Sequence, residues 1–279
     1  MPSKLPFALA LAFTTAFTTT FTAAPALAQT PPPAPEITLA RLDCGTPVLN
    51  IVARFNDAWA FTDKRVMFTY SCYLIKRGDE YMLWDTGHAL TAGAPAPKVS
   101  IVDQLAQINL KPEQIKYVGI SHYHADHTGQ VASFPSATLL IGKGDWDGIT
   151  AAKPNVGANV APFAHWISGA GKMEAVPGDK DVFGDGSVIM INTPGHTPGH
   201  RSLLVRLKDL GPVLISGDLT HFQENYDING VPGFNFHRAD SLASLDRFKK
   251  AAANLKGTVI IQHDVRDIGK LPVWPMAAK

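Results

Sequence analysis

The chain has 279 residues, 46% of them hydrophobic, enough to bury one large core or two small ones. Its 25 basic side chains face 24 acidic ones, and residues 1–28 hold one of the lysines and no acid, so the remainder balances at 24 of each. That neutrality excludes the positive field needed to hold nucleic acid or an anionic membrane, and points to a small neutral substrate.

Lys4 precedes an apolar, threonine-rich run from Leu5 to Phe21, and Ala26-Leu27-Ala28 comes before Gln29. A charged start, an apolar centre and a small-residue end predict a secretory signal peptide over residues 1–28. The competing reading is a membrane anchor, but threonines interrupt the run and no positive flank follows it. The expectation is therefore export, periplasmic or secreted, with no stable membrane association after cleavage. Residues 29–36 read as an extended, proline-rich leader, and residues 37–279 as a single domain. Cys44 and Cys72 are the only cysteines. They either form one disulfide in an oxidising compartment or sit as two small buried hydrophobes.

Ile37–Asp43 alternates well enough for a first strand, and 56–64 reads as a loop carrying Trp59 and Phe61. Val66–Lys76 and Glu80–Trp84 flank Arg77-Gly78-Asp79, a hairpin pattern. Apolar residues at 101, 102, 105, 108 and 110 predict an amphipathic helix over 99–110, stopped before Pro112. A strand follows at 116–120, a short helix is expected after Thr128-Gly129, and Thr138–Ile141 is another strand. Residues 143–171 are rich in glycine and proline and read as irregular, with short helices. Strands are expected at 172–176, 187–191, 202–206 and 213–216, then a long loop over 219–237. A helix over 239–255 and a strand over 258–261 close the pattern. Strands with helices between and after them predict an α/β architecture of two packed sheets with helices on the outer faces.

The densest chemistry is Ser-His-Tyr-His-Ala-Asp-His-Thr-Gly, residues 121–129. His122, His124, Asp126 and His127 fall within six residues, directly after a strand. A continuous helix would leave His124 on the side opposite His122 and Asp126, so an extended loop is expected to carry them. A lone histidine is usually a surface or satisfied core residue. Three with an aspartate at this density are metal ligands of the kind that zinc prefers. His196, in Thr193-Pro-Gly-His196-Thr-Pro-Gly-His200, follows the strand at 187–191. Asp218 follows the strand at 213–216, and His263 the strand at 258–261. Seven such residues at repeated strand ends predict a binuclear site.

The set His122-x-His124-x-Asp126-His127, His196, Asp218 and His263 resembles the metallo-β-lactamase superfamily, an αββα sandwich of metal-dependent hydrolases with two mixed sheets. The resemblance covers nearly all of the chain after residue 37. It implies that His122, His124 and His196 bind one zinc ion, that Asp126, His127 and His263 bind the other, and that Asp218 bridges them. Other divalent transition metals would suit the same donors. It also implies that Asp85, in Trp84-Asp-Thr-Gly87, orients a ligand histidine, and that His200 supports the ligands from behind or serves the fold rather than binding metal.

Within the superfamily, Asp218 argues against the true β-lactamases, and no basic cluster suggests the nucleic-acid-processing branches. Leu42-Asp-Cys-Gly45, the Trp84–Gly87 turn and Gly217-Asp218…Glu224-Asn225-Tyr226 are similar to the N-acyl homoserine lactonases, which quench quorum signals. The resemblance then implies attack on a lactone carbonyl by a hydroxide bridging two metals about 3.5–4 Å apart, with the pKa of water lowered from ~15.7 toward ~7. Asp126 would pass a proton to the leaving oxygen. One position departs from the pattern. Many members carry a tyrosine three residues after the bridging aspartate, where this chain has His221. His221 could keep the hydrogen-bonding role, with Tyr226 as a substitute. Candidates to hold an acyl chain are Trp59, Phe61, Met67, Phe68, Phe222, Phe234 and Phe236. The alternatives are hydrolysis of organophosphate triesters, aryl esters or β-lactams by the same metals, or a zinc-binding protein without turnover. A homodimer is a family expectation only.

Overall fold

The layering follows from the way a β-strand sends alternate side chains to opposite faces. The computed structural model of the chain describes residues 1–3 and 35–279; beyond residue 3, the expected signal peptide and the leader up to residue 34 lie outside the described residues. One sheet is ordered β1–β2–β3–β4–β5–β6. Its strands are β1 (Ile37–Ile51), β2 (Arg65–Arg77), β3 (Glu80–Trp84), β4 (Ile115–Ile120), β5 (Thr138–Gly142) and β6 (Met173–Val176). The first three pair antiparallel and the last four parallel. The other sheet comprises β7 (Lys180–Asp181), β8 (Val188–Asn192), β9 (Arg201–Arg206), β10 (Pro212–Ile215) and β11 (Thr258–Ile260). Its order is β11–β10–β9–β8–β7, antiparallel except for β10–β11.

Alternation then separates the apolar residues into three clusters. Between the sheets, Met82 and Trp84 of β3 meet Leu203 and Val205 of β9 and Val213 and Ile215 of β10. Leu83 of β3 points the other way, into a cluster with Ile101 and Leu105 of α1 (Ile101–Ala106) and Ile149 of α3 (Lys143–Thr150). Leu204 and Leu214 face outward on the second sheet, against Leu245 and Phe248 of α6 (Arg238–Leu255). Three clusters between four layers make an αββα sandwich of two mixed sheets. Residues Pro35–Lys279 form one compact unit. Among the described residues, no helix is long and apolar enough to cross a membrane.

Several elements differ from their sequence pattern. β1 runs on to Ile51 because register shifts on either side of Gly45 absorb the break in its alternation. α1 has six residues rather than twelve: Ser100 caps its start, and Asn109 takes φ +55°, turning the chain so that Leu110 is buried. The expected loop 219–237 contains a further helix, α5 (Gln223–Ile228), ended by Asn229 at φ +57°. The two-residue β7 is too short to leave a pattern.

Two links staple the molecule near the site. Cys44 of β1 and Cys72 of β2 form a disulfide, which settles the two readings of these cysteines. In α5, Glu224 accepts from Arg266 through both guanidinium nitrogens at 2.7 Å and pairs with Lys64 at 2.5 Å. Arg266, and then Lys64, hold the Glu224 carboxyl down to about 2 against its burial.

Replacing both cysteines by alanine is expected to lower the unfolding free energy by about 3 kcal/mol, read from urea midpoints, because 28 residues separate the bridged pair. The folded-state pKa of Glu224 lies below its unfolded value of 4.5, so its contribution is present above that pH and is lost as the pH falls toward 2. Glu224→Gln is expected to cost about 2 kcal/mol at pH 7 and to flatten the acid limb of the stability curve.

Candidate metal centre

Four strands deliver the seven predicted side chains to one rim. β4 ends at Ile120, and His122 and His124 follow in a bent, non-helical segment in which His124 is extended. Residues Ala125–Thr128 then form a short helix, α2, where the sequence suggested a loop. The helical turn sets the consecutive residues Asp126 and His127 about 100° apart, and both reach the same group of donors. His196 follows β8, Asp218 lies in a turn after β10, and His263 follows β11. All seven meet. His122, His124, His196 and Asp218 form one group, and Asp126, His127, Asp218 and His263 another, with donor atoms within 4.8 Å of one another in each. Asp218 belongs to both. Its Oδ2 is 3.3 Å from His196 Nε2 and 3.6 Å from His122 Nε2, and its Oδ1 is 2.8 Å from His263 Nε2 and 3.1 Å from His127 Nε2.

Whether these residues suit a metal is decided by their lone pairs. His127 Nδ1 donates to Asp85 Oδ2 at 2.9 Å, and His263 Nδ1 donates to the Thr69 carbonyl at 2.7 Å. Each ring is thereby left with a lone pair on Nε2. Those two nitrogens face each other at 3.1 Å, and both face Asp218 Oδ1, a buried oxygen with no hydrogen-bond donor. On the other side, His196 Nδ1 donates to Asn235 Oδ1 at 2.8 Å, so its Nε2 presents a lone pair to His124 Nδ1 at 3.0 Å. Acceptors packed this closely repel unless a cation lies among them. The donor set fits a metal.

The charge distribution agrees. Burial, with the neighbouring histidines, pushes His122 and His196 well below the usual imidazole range, so both stay neutral. Burial would raise Asp218, yet His263, His127 and His221 hold it well below the carboxylate range. Burial would likewise lower His127, but Asp218, Asp126 and Asp85 overcome it and push it well above the usual imidazole range, so the space before its Nε2 favours a cation.

Supporting groups fix the donors. Asp85, at φ +57°, accepts from the Ser121 amide at 2.6 Å and from Gln262 at 2.7 Å besides His127. His200 donates to the Thr193 carbonyl and accepts the Asp218 amide, each at 2.9 Å, and belongs to neither donor group. Gly217, at φ +56°, allows this approach, since a Cβ there would lie 2.7 Å from His200 Nε2. Two supports had no signal in the sequence. Asn235 lies between two phenylalanines in a loop. Asp145 of α3 accepts from the Tyr123 amide at 3.1 Å, the Thr197 hydroxyl at 2.8 Å and the Gly199 amide at 2.6 Å, tying the loops of His122 and His196 together.

A cleft of about 300 Å³ opens over the centre. His221 lines it with Nε2 turned onto Asp218 at 3.1 Å, its ring tilted against Phe55 at 4.5 Å between centroids. The walls also carry Phe68, Tyr70, His88 and Phe234. Burial, and behind it Asp126 and Asp218, pushes the Tyr70 phenol up to about 12. A neighbouring cleft of about 420 Å³ shares His124, His196 and Phe234 and adds Val156 and Phe236. Of the other apolar candidates, Phe222 is core, Phe61 packs against that core, Trp59 is 84% exposed, and Met67 lies on the outer surface. Tyr226 packs in the α6 cluster with Lys249 over its ring, and does not line the cleft.

Paired imidazole–carboxylate groups at the strand ends of an αββα sandwich, beneath an open cleft, define a metal-binding centre of hydrolase type. The chain belongs to the metallo-beta-lactamase superfamily, which it matches over residues 67–263. It is 33% identical over 178 residues to the N-acyl homoserine lactonase AttM of Rhizobium radiobacter, covering 58% of this chain and 63% of that protein. The match therefore spans less than two thirds of that relative. An N-acyl homoserine lactonase of a Bacillus species is 28% identical over 221 residues, 73% of this chain and 84% of that protein. An N-acyl homoserine lactone hydrolase solved with N-hexanoyl-L-homoserine at its catalytic metal centre superposes with a TM-score of 0.73 at 23% identity, covering 88% of this chain and 99% of that one. At that identity the likeness shows the fold.

Asp145→Ala strands three donors beside the centre. It is expected to lower stability by about 3 kcal/mol and to reduce bound metal per chain, measured by thermal unfolding and elemental analysis.

Proposed function

We propose that this protein is a zinc hydrolase that opens N-acyl homoserine lactones by adding water across the ring ester. The observation that carries the reading is Asp218, shared by two donor groups on the floor of a cleft that continues into an apolar one. Imidazoles with carboxylates are a donor set that zinc accepts, and two groups give room for two ions. When bound, such ions supply Lewis acidity to a carbonyl and to water.

The chain's own residues do the rest. Phe234, Phe236 and Val156, the last 97% exposed, offer an apolar wall along which an acyl arm can lie. Phe55 and Phe68 narrow the cleft over the centre and limit water there. His221 Nε2 steadies the Asp218 carboxylate. Asp126, 22% exposed on the cleft floor, is placed to take a proton from the attacking water and pass it to the departing ring oxygen. We further place the protein outside the cytoplasm, because both cysteines are paired and residues 1–28 read as an export signal. The lactonase names of its relatives support the substrate class.

The test is proton release in a pH-stat when zinc-loaded protein meets acyl homoserine lactones of short and long chain. Ring opening is expected, with a loss on the order of 100-fold or more in Asp218→Ala. A protein that holds its metal and opens no lactone, while hydrolysing phosphate triesters or aryl esters, would sink the reading.

A further inference from the structure

Tyr70 lines the cleft over the metal centre, and the function above leaves it unused. Its side chain is 7% exposed and closely held. Phe68 lies 5.2 Å away between ring centroids, His88 stands edge-on at 4.5 Å and His263 edge-on at 5.6 Å. Across β1–β2 the residue opposite is Gly45, where a Cβ would come within 2.7 Å of the tyrosine ring. Glycine at 45 therefore admits the ring, and the Cys44–Cys72 disulfide locks the adjoining stretch of the two strands. The hydroxyl, by contrast, has no hydrogen-bond partner among the described residues, although it belongs to a side chain lining the same cleft as Asp126 and Asp218. Phenylalanine would pack as well, so a fixed ring with an open donor argues for a ligand-side role.

Its position indicates which substrate atom it meets. The apolar cleft opens beside His124 and His196, whereas Tyr70 leans on His263. In an N-acyl homoserine lactone the acyl arm hangs from the carbon on one side of the carbonyl, and the ring oxygen is on the other. With the arm in the apolar cleft and the carbonyl over the centre, the ring oxygen points toward Tyr70.

We propose that the Tyr70 hydroxyl donates a hydrogen bond to the lactone ring oxygen as the acyl C–O bond breaks, an inference that rests on the lactone-opening reading. The water oxygen joins the carbonyl carbon, and the electron pair of the broken bond goes to the ring oxygen. That oxygen takes one proton of the water and becomes a hydroxyl, while the other proton is released as the new acid ionises. Tyr70 keeps its own proton and stabilises the charge that builds on the departing oxygen.

The experiment compares wild type and Tyr70→Phe, both zinc-loaded and matched for metal content and thermal stability. Their substrates are N-hexanoyl homoserine lactone, which departs as an alkoxide, and a 4-nitrophenyl ester, whose phenolate needs little help. Tyr70→Phe is expected to lose on the order of 100-fold in kcat on the lactone, with KM little changed, and to keep its rate on the aryl ester. Fluorotyrosine at position 70 keeps the shape and the donor, and is expected to keep the lactone rate. Equal losses on both substrates, no loss on the lactone, or a fluorotyrosine protein as slow as Tyr70→Phe each overturn the proposal. A wild type that opens no lactone at all instead removes the functional reading beneath it, so the two failures are distinguishable.

Discussion

The Asp218 carboxylate is the point on which the centre depends. Each of its oxygens faces two or more imidazole nitrogens, and it has been drawn out of water into the space between them. A buried carboxylate is tolerable only among compensating charge or donors; His221 Nε2 supplies part of this, while His127, His263 and His196 turn lone pairs inward. The rest of the site holds that unfavourable gathering in place. Asp85, Thr69 and Asn235 each take the outward N–H of a histidine, and so decide which nitrogen faces inward. His200 holds the backbone of Asp218 itself. Without the stiffness of the sandwich beneath them, these groups would relax apart.

The sequence makes visible what repeats at short range. Runs such as Glu80–Trp84 and Arg201–Arg206 carry short, continuous apolar stretches bounded by polar and turn residues, so strands buried on both faces, and the layers they separate, can be read from them. The seven donors stand out for a related reason: each follows an apolar strand, and strand ends on one rim must be neighbours. Asp145 gives no such sign. Its partners lie 22, 52 and 54 residues away and include two backbone amides, which carry no side-chain signature. The fate of the aromatic residues is equally hidden. Phe222 and Phe234 look alike in the sequence, yet one fills the core and the other walls the cleft, because the difference is set by how α5 and the segment after it turn. The α2 turn escapes detection because four residues are too few to show a period.

Tyr70 illustrates a third kind of information, carried by pairs. Neither Gly45 nor Tyr70 is informative alone; the register of β1 on β2 makes the glycine a seat for the ring. The cystine one residue before that seat ties the same two strands covalently. A feature that looks like a general staple thus also sharpens a local geometry, since a slip of one residue would turn Tyr70 to the other face of the sheet.

The distance along the chain between the donors has a consequence for assembly. His127 and His263 meet at 3.1 Å but are separated by 136 residues, and they come from opposite sheets. His122 and His196 are likewise divided between the sheets. A chain with one sheet formed offers only part of either group, and the full affinity for an ion develops once the sheets have docked. Closing loops of that length is left to the apolar interface between the sheets, which needs no ion. The ion is then a clasp on a finished sandwich rather than a nucleus around which it forms, and the chain can complete its core before any metal arrives.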